Sequence, residues 1–158
     1  MKGATRYADR HNEHVNKRRL YCPHPHDCWL EHLTIDLHHA HLFASDIDAT
    51  IAWWGRHLGA RVLVDEVMAG ARNVFMAVGT GRIHIYEQPP RDQGRGAVHH
   101  LGIKVANLRA VWTRLQADGI TSRHGLREFD DGWRYVMIEA PDGVLLELFE
   151  FDDPRRLG

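Results

Sequence analysis

Cysteine is nearly absent from this 158-residue chain, which carries only two, Cys22 and Cys28. Two are too few for a disulfide scaffold, and the default setting is therefore a reducing cytoplasm. Long apolar runs are missing as well. None approaches the roughly 20 residues needed to span a bilayer, and the first residues lack the apolar stretch of a secretory signal, so no membrane partner is expected. Nor is there an excess of positive charge. A formal net charge of −1 argues against a nucleic-acid partner, which would call for a strongly basic face. What remains is an ordinary globular composition, 44% apolar, sized for one compact domain or two small modules sharing a core.

Histidine is the residue in excess, thirteen in all. His11, His14, His24, His26 and His32 lie in a polar, aperiodic N-terminal extension, residues 1–36. Within it, Cys22-Pro-His-Pro-His-Asp-Cys28 has the composition of a zinc knuckle. Its ligands are crowded, however, and no second pair follows at finger spacing, so it reads as an extended loop.

Of the remaining eight histidines, His39 and His100 open a repeat. His39-Ala-His-Leu-Phe-Ala-Ser-Asp46 and His100-Leu-Gly-Ile-Lys-Val-Ala-Asn107 each place a histidine on a strand, with a helix-capping Asp or Asn seven residues later. The helical stripes are Ile47, Ile51, Trp54 and Leu58 in the first copy, and Leu108, Val111, Trp112 and Leu115 in the second. Gly59 and Gly119 terminate the helices. Strands are predicted at 38–45, 61–67, 73–78 and 82–87, then at 98–105, 120–127, 133–139 and 144–150, the last two joined by the Pro141-Asp-Gly143 turn. The expected fold is α+β: two tandem βαβββ modules, at 37–88 and 98–151, around a linker at 89–97, with a tail at 152–158.

Strand alternation decides which side chains can meet. Ile83 and Ile85 belong to the helix side, which turns His84 and Tyr86 the other way. Glu147 opposes Leu146 and Leu148 in the same manner. His39 and His41 share one face, and His38 and His99 are expected to turn toward the helices. With the modules side by side, His39, His84, His100 and Glu147 can converge in one cleft. Imidazoles with a carboxylate suit a divalent transition metal, and an open two-His-one-carboxylate set suits non-haem Fe(II).

At this point the sequence resembles the vicinal oxygen chelate superfamily of glyoxalases, bleomycin-resistance proteins, epimerases and extradiol dioxygenases. The resemblance rests on the two strand–helix openings, Trp53-Trp54, Leu58-Gly59 and Ala140-Pro-Asp-Gly-Val-Leu-Leu-Glu147, and it covers about residues 37–151. It implies a curved mixed sheet around a metal cleft, with His39, His100 and Glu147 as ligands, often in a homodimer. The histidine at position 84 is similar to the proton-moving histidine of the extradiol branch, where glyoxalases and epimerases usually carry Glu or Gln. The stretch 69–76 with Gln88-Pro-Pro-Arg91 is similar to small L-DOPA 2,3-dioxygenases. There is one departure: Met137 stands where the extradiol signature has a tyrosine, and no histidine precedes it at the expected spacing.

The implied activity is extradiol cleavage of a catechol by O2 on Fe(II), with His84 as general acid/base and Tyr86 orienting substrate or His84. Arg72 and Arg134 are candidates for a substrate carboxylate. His124, Tyr86, Tyr135, Arg72 and Arg134 are candidate stand-ins for the missing groups, and His41 either lines the pocket or steadies a ligand. Two alternatives stay open. One is a glyoxalase-type lyase, isomerase or epimerase using Ni, Co or Zn, with His84 as fourth ligand. The other is a metal-free binding protein of the bleomycin-resistance kind.

Overall fold

The computed structural model describes residues 37–158, apart from 93–96, 154 and 156–158. The Cys22–Cys28 motif and the N-terminal histidines lie outside the described residues.

The first half runs β1 (Ala40–Ala44), α1 (Ile47–Leu58), β2 (Arg61–Met68), β3 (Ala71–Val78) and β4 (Gly81–Glu87). The second runs β5 (Leu101–Lys104), α2 (Leu108–Ala117), β6 (Arg127–Glu128), β7 (Trp133–Glu139) and β8 (Leu145–Phe151), with a 3₁₀ turn at Pro141–Gly143. The sheet takes the form of two four-stranded halves, ordered β1-β4-β3-β2 and β5-β8-β7-β6. In each half the first strand pairs parallel to the last, and the other pairings are antiparallel. No helix among the described residues is long and apolar enough to cross a membrane.

Local chemistry sets the helix ends. Asp46 accepts a hydrogen bond from the Ala49 amide, and Asn107 accepts one from Ala110. Gly59, at φ 65°, closes α1 in the left-handed conformation that a side chain would strain. Ser45, next to the cap, donates from its amide and hydroxyl to Asp142 in the 3₁₀ turn. That bond joins the two halves, as do an Arg56–Asp118 ion pair at 3.2 Å and Arg114 donating to the His57 carbonyl.

Each helix lays its apolar stripe on its own sheet. Trp54 packs into the core with Val74, Met76, Ile83 and Ile85, while Leu108, Trp112 and Leu115 join Val136, Ile138, Leu146 and Leu148. Full burial of one such large side chain stabilises by about 1.5–3 kcal/mol. These core residues alternate along the strands, and that alternation fixes the composition of the opposite face.

One expected strand is largely missing. Instead of 120–127, β6 is only Arg127–Glu128. Ile120 and Leu126 are the apolar residues of that stretch packed on the core. Gly119 and Gly125, both at positive φ, bend the chain on either side, so little alternation is left to hold a ladder. Its counterpart β2 is eight residues long and exposed throughout, with Val62, Leu63, Val64, Val67 and Met68 all open to solvent.

Candidate metal centre

On β1 and β4, parallel pairing sets His41 opposite His84, with His39 one residue before β1 begins. Because Ile83 and Ile85 face the core, His84 turns to the other side of the sheet. There His39, His41 and His84 bring donor nitrogens within 4.8 Å of one another. The His41 and His84 ring centroids lie 4.2 Å apart, and Phe75, opposite His84 on β3, stacks on it at 4.1 Å and 9°. Tyr86 shares this face, its ring 5.6 Å from His41.

His84 is buried, at 8% exposure. Burial pushes its pKa below the ordinary value, and the nearby His41 and His39 push in the same direction. His41 is lowered too, by desolvation first and then by His39. Both imidazoles are therefore neutral at pH 7, the state that can accept a proton or ligate a metal.

The second half offers a matching pair. Register sets Gly102 opposite Glu147, and His100, just before β5, reaches the carboxylate with Nε2 3.1 Å from Oε2. Gly102 stands where the first half has His41. A Cβ there would come 3.4 Å from the Phe149 ring. Within one chain the structure thus forms two donor groups. Among the described residues, no three donors within 4.8 Å of one another include His100 or Glu147.

His38 and His99 do not turn away as strand alternation predicts. His38 Nδ1 lies 2.8 Å from His39 Nδ1, and His99 Nδ1 lies 2.9 Å from His100 Nδ1. Both precede the first residue of their strands, so alternation does not govern them.

The two arginines stand on the helix side of their sheets. Arg72 pairs with Asp65 and with Asp48 of α1, each at 2.7 Å, and its pKa is raised by those partners. Arg134 pairs with Glu150 and Asp152, and Glu150 in turn accepts from the amides of Asn107 and Leu108 at the start of α2. Tyr135 is on the Glu147 face, within an aromatic cluster with Trp133 and Phe129. Met137 sits directly opposite Glu147. His124 is exposed and, with His99, Met137, Glu139 and Leu145, lines a cavity of about 710 Å³. A second cavity, of about 940 Å³, opens between the edge strands β1 and β5 with His39 on one wall and Leu101 on the other.

Sequence reasoning missed Asn73 and Phe75, which line the His84 face. Their signal was there: alternation with buried Val74 and Met76 turns both toward His84.

The profile of the Glyoxalase/Bleomycin resistance protein/Dioxygenase superfamily matches residues 36–148. No curated protein matches the sequence. Among solved structures, a glyoxalase family protein from Enterococcus faecalis is 26% identical, with TM-score 0.62, over 73% of this chain and 97% of that one. The fosfomycin resistance protein FosX from Listeria monocytogenes, complexed with Mn(II) and sulfate, is 18% identical with TM-score 0.62, over 80% and 100%. TioX from Micromonospora sp. ML1 is 19% identical with TM-score 0.59, over 74% and 99%.

Proposed function

Since the chain belongs to the glyoxalase/bleomycin resistance protein/dioxygenase superfamily, we propose that it is a non-haem Fe(II) extradiol dioxygenase. It cleaves a catechol ring with O2, and L-DOPA is among the candidate substrates. The observation that carries this reading is a buried histidine at position 84 whose ring nitrogens cluster with those of His39 and His41.

His39, His100 and Glu147 would hold the metal. The donor chemistry fits: two imidazoles and a carboxylate suit Fe(II) and leave positions open for both reactants. When bound, the metal lowers the pKa of a chelated catechol and holds it beside O2. His84 accepts the catechol proton and returns it during ring opening, a role open to an imidazole that is neutral at working pH. Tyr86 and His41 line the approach on the same face, and Phe75 fixes the His84 ring plane by stacking. The cavity of about 710 Å³ lined by His99, His124 and Met137 is within the usual ligand-site range. Of the groups that could replace the absent tyrosine, Tyr135 is on the Glu147 face. Arg72 and Arg134 are engaged by acids, which leaves a substrate carboxylate to other groups.

The separation of the two donor groups supports a homodimer in which His39 and His84 of one protomer face His100 and Glu147 of a second copy. Low cysteine content agrees with work in a cytoplasm.

The test is oxygen uptake by anaerobically Fe(II)-loaded protein on addition of a catechol panel, L-DOPA included, with the absorbance of the ring-opened product followed alongside. Uptake with product supports the reading, and no uptake across the panel overturns it. A second reading draws on the same donor group: His84 lies close enough to His39 to serve as a ligand. That arrangement suits an oxygen-independent lyase or isomerase, and turnover of a hemithioacetal with Ni(II) or Zn(II) would favour it.

A further inference from the structure

His84 has a partner whose orientation is forced. Asn73 Oδ1 lies 2.8 Å from His84 Nε2. The Asn73 amide nitrogen meanwhile donates to two backbone carbonyls, Met68 at 3.0 Å and Ala71 at 2.9 Å. Flipping the amide would set its oxygen against those two carbonyl oxygens and leave its nitrogen facing the ring. Both amide hydrogens are thus committed, and only the oxygen can face the histidine. An oxygen with no hydrogen of its own accepts, so His84 Nε2 must donate. In a neutral imidazole that leaves Nδ1 as the one lone pair.

The surroundings hold this arrangement. Asn73 is 4% exposed and His84 8%, so water does not compete freely for either group. Phe75 stacks flat on His84 and resists rotation of the ring. The carbonyls that orient Asn73 belong to the β2–β3 turn, where Ala69 and Gly70 both take positive φ. The second half has no equivalent device. Register gives Asn73 opposite Tyr86 and Tyr135 opposite Phe149, so Tyr135 occupies the corresponding place, and its single O–H cannot bridge two carbonyls.

We propose that Asn73 is a positioning residue that locks His84 in the Nε2–H tautomer, so that His84 meets a metal or exchanges a proton only through Nδ1. The β2–β3 turn is thereby part of the site. This deepens the proposed role of His84 and rests on that reading for its catalytic meaning, but the tautomer is a property of the protein without metal or substrate.

The experiment is long-range proton–nitrogen correlation NMR on metal-free, ¹⁵N-histidine-labelled protein above neutral pH, with the His84 signals identified by their loss in His84→Gln. The expected spectrum shows Nε2 of His84 as the protonated, pyrrole-type nitrogen and Nδ1 as the pyridine-type nitrogen. Asn73→Leu removes the acceptor and is expected to move the two shifts toward each other. The reversed assignment in the wild-type protein, or averaged shifts there, would overturn the proposal even if Asn73→Leu fails to fold. Unchanged shifts in a folded Asn73→Leu would overturn it as well. A protein inactive toward every catechol but showing the expected spectrum would sink the dioxygenase reading and leave this one standing.

Discussion

At the scale of single residues, the groups proposed to hold a metal are distinct from those proposed to steady or use it. His100 and Glu147 are in contact at 3.1 Å, and His99 touches His100 from behind. Replacing an outer partner of a metal ligand costs roughly 10–100-fold in affinity. His99→Ala is therefore expected to weaken Fe(II) or Co(II) binding within that range, and His100→Ala or Glu147→Ala to weaken it further, as read by metal titration under anaerobic conditions. His84→Gln is expected to keep the metal and lose about 10²–10⁴-fold in kcat, the usual worth of a positioned acid/base. Loss of metal from His84→Gln would instead make His84 a ligand and favour the lyase or isomerase reading. Histidines and a glutamate recurring at nearly constant offsets on matching strands pointed to His39, His84, His100 and Glu147, of which His39 and His84 come together, with His41. Asn73 was not legible as a site residue. A lone asparagine on a strand carries no motif, and only the return of its amide to the β2–β3 turn shows what it does.

At the scale of elements, most of the fold could be read from alternation and caps. α1 begins after Asp46 and ends before Gly59 as expected, because side-chain capping and a left-handed glycine are local chemistry. β6 could not be read, since its length depends on pairing with β7 across a glycine-bent loop. His38 and His99 misled for a related reason: the strands begin two residues after them, at Ala40 and Leu101. Asn107 gives a sharp test at this scale. It caps α2 from a left-handed backbone, φ 57°. Asn107→Ala loses the cap, worth about 1 kcal/mol, and adds strain at positive φ. Asn107→Gly loses the cap but keeps the backbone at ease, so it should be the less destabilising of the two in denaturant unfolding. Trp54→Ala, at 1% exposure in the core of the first half, is expected to cost about 3–5 kcal/mol by the same measurement.

At the scale of the whole molecule, two halves must be held together and their donor groups completed. His57 lies where they meet, buried at 8% exposure with Nδ1 3.3 Å from Asp118. Burial lowers its pKa, an effect only partly offset by Asp118. His41 and His84 are lowered as well. A histidine with a depressed folded pKa binds protons more readily when unfolded. Metal-free protein should therefore lose stability as pH falls through the ordinary histidine value near 6.5, and go on losing it until the lower folded values are reached. His57→Gln should flatten that slope in a pH series of thermal unfolding. The homodimer makes a separate prediction. Inactive His39→Ala and Glu147→Ala proteins, mixed and allowed to exchange, regain about a quarter of the wild-type sites if each site spans two protomers. They regain nothing if each site lies within one chain.

Extradiol cleavage would insert both atoms of dioxygen into the catechol. Its most direct measurement is ¹⁸O₂ labelling of the Fe(II)-loaded protein with a catechol substrate, with mass analysis of the product. The expected outcome is one O₂ consumed per catechol, label in the newly formed carboxylate, and loss of the reaction when iron is removed. Unaltered catechol, or a product whose new carboxylate oxygen comes from water, would contradict it.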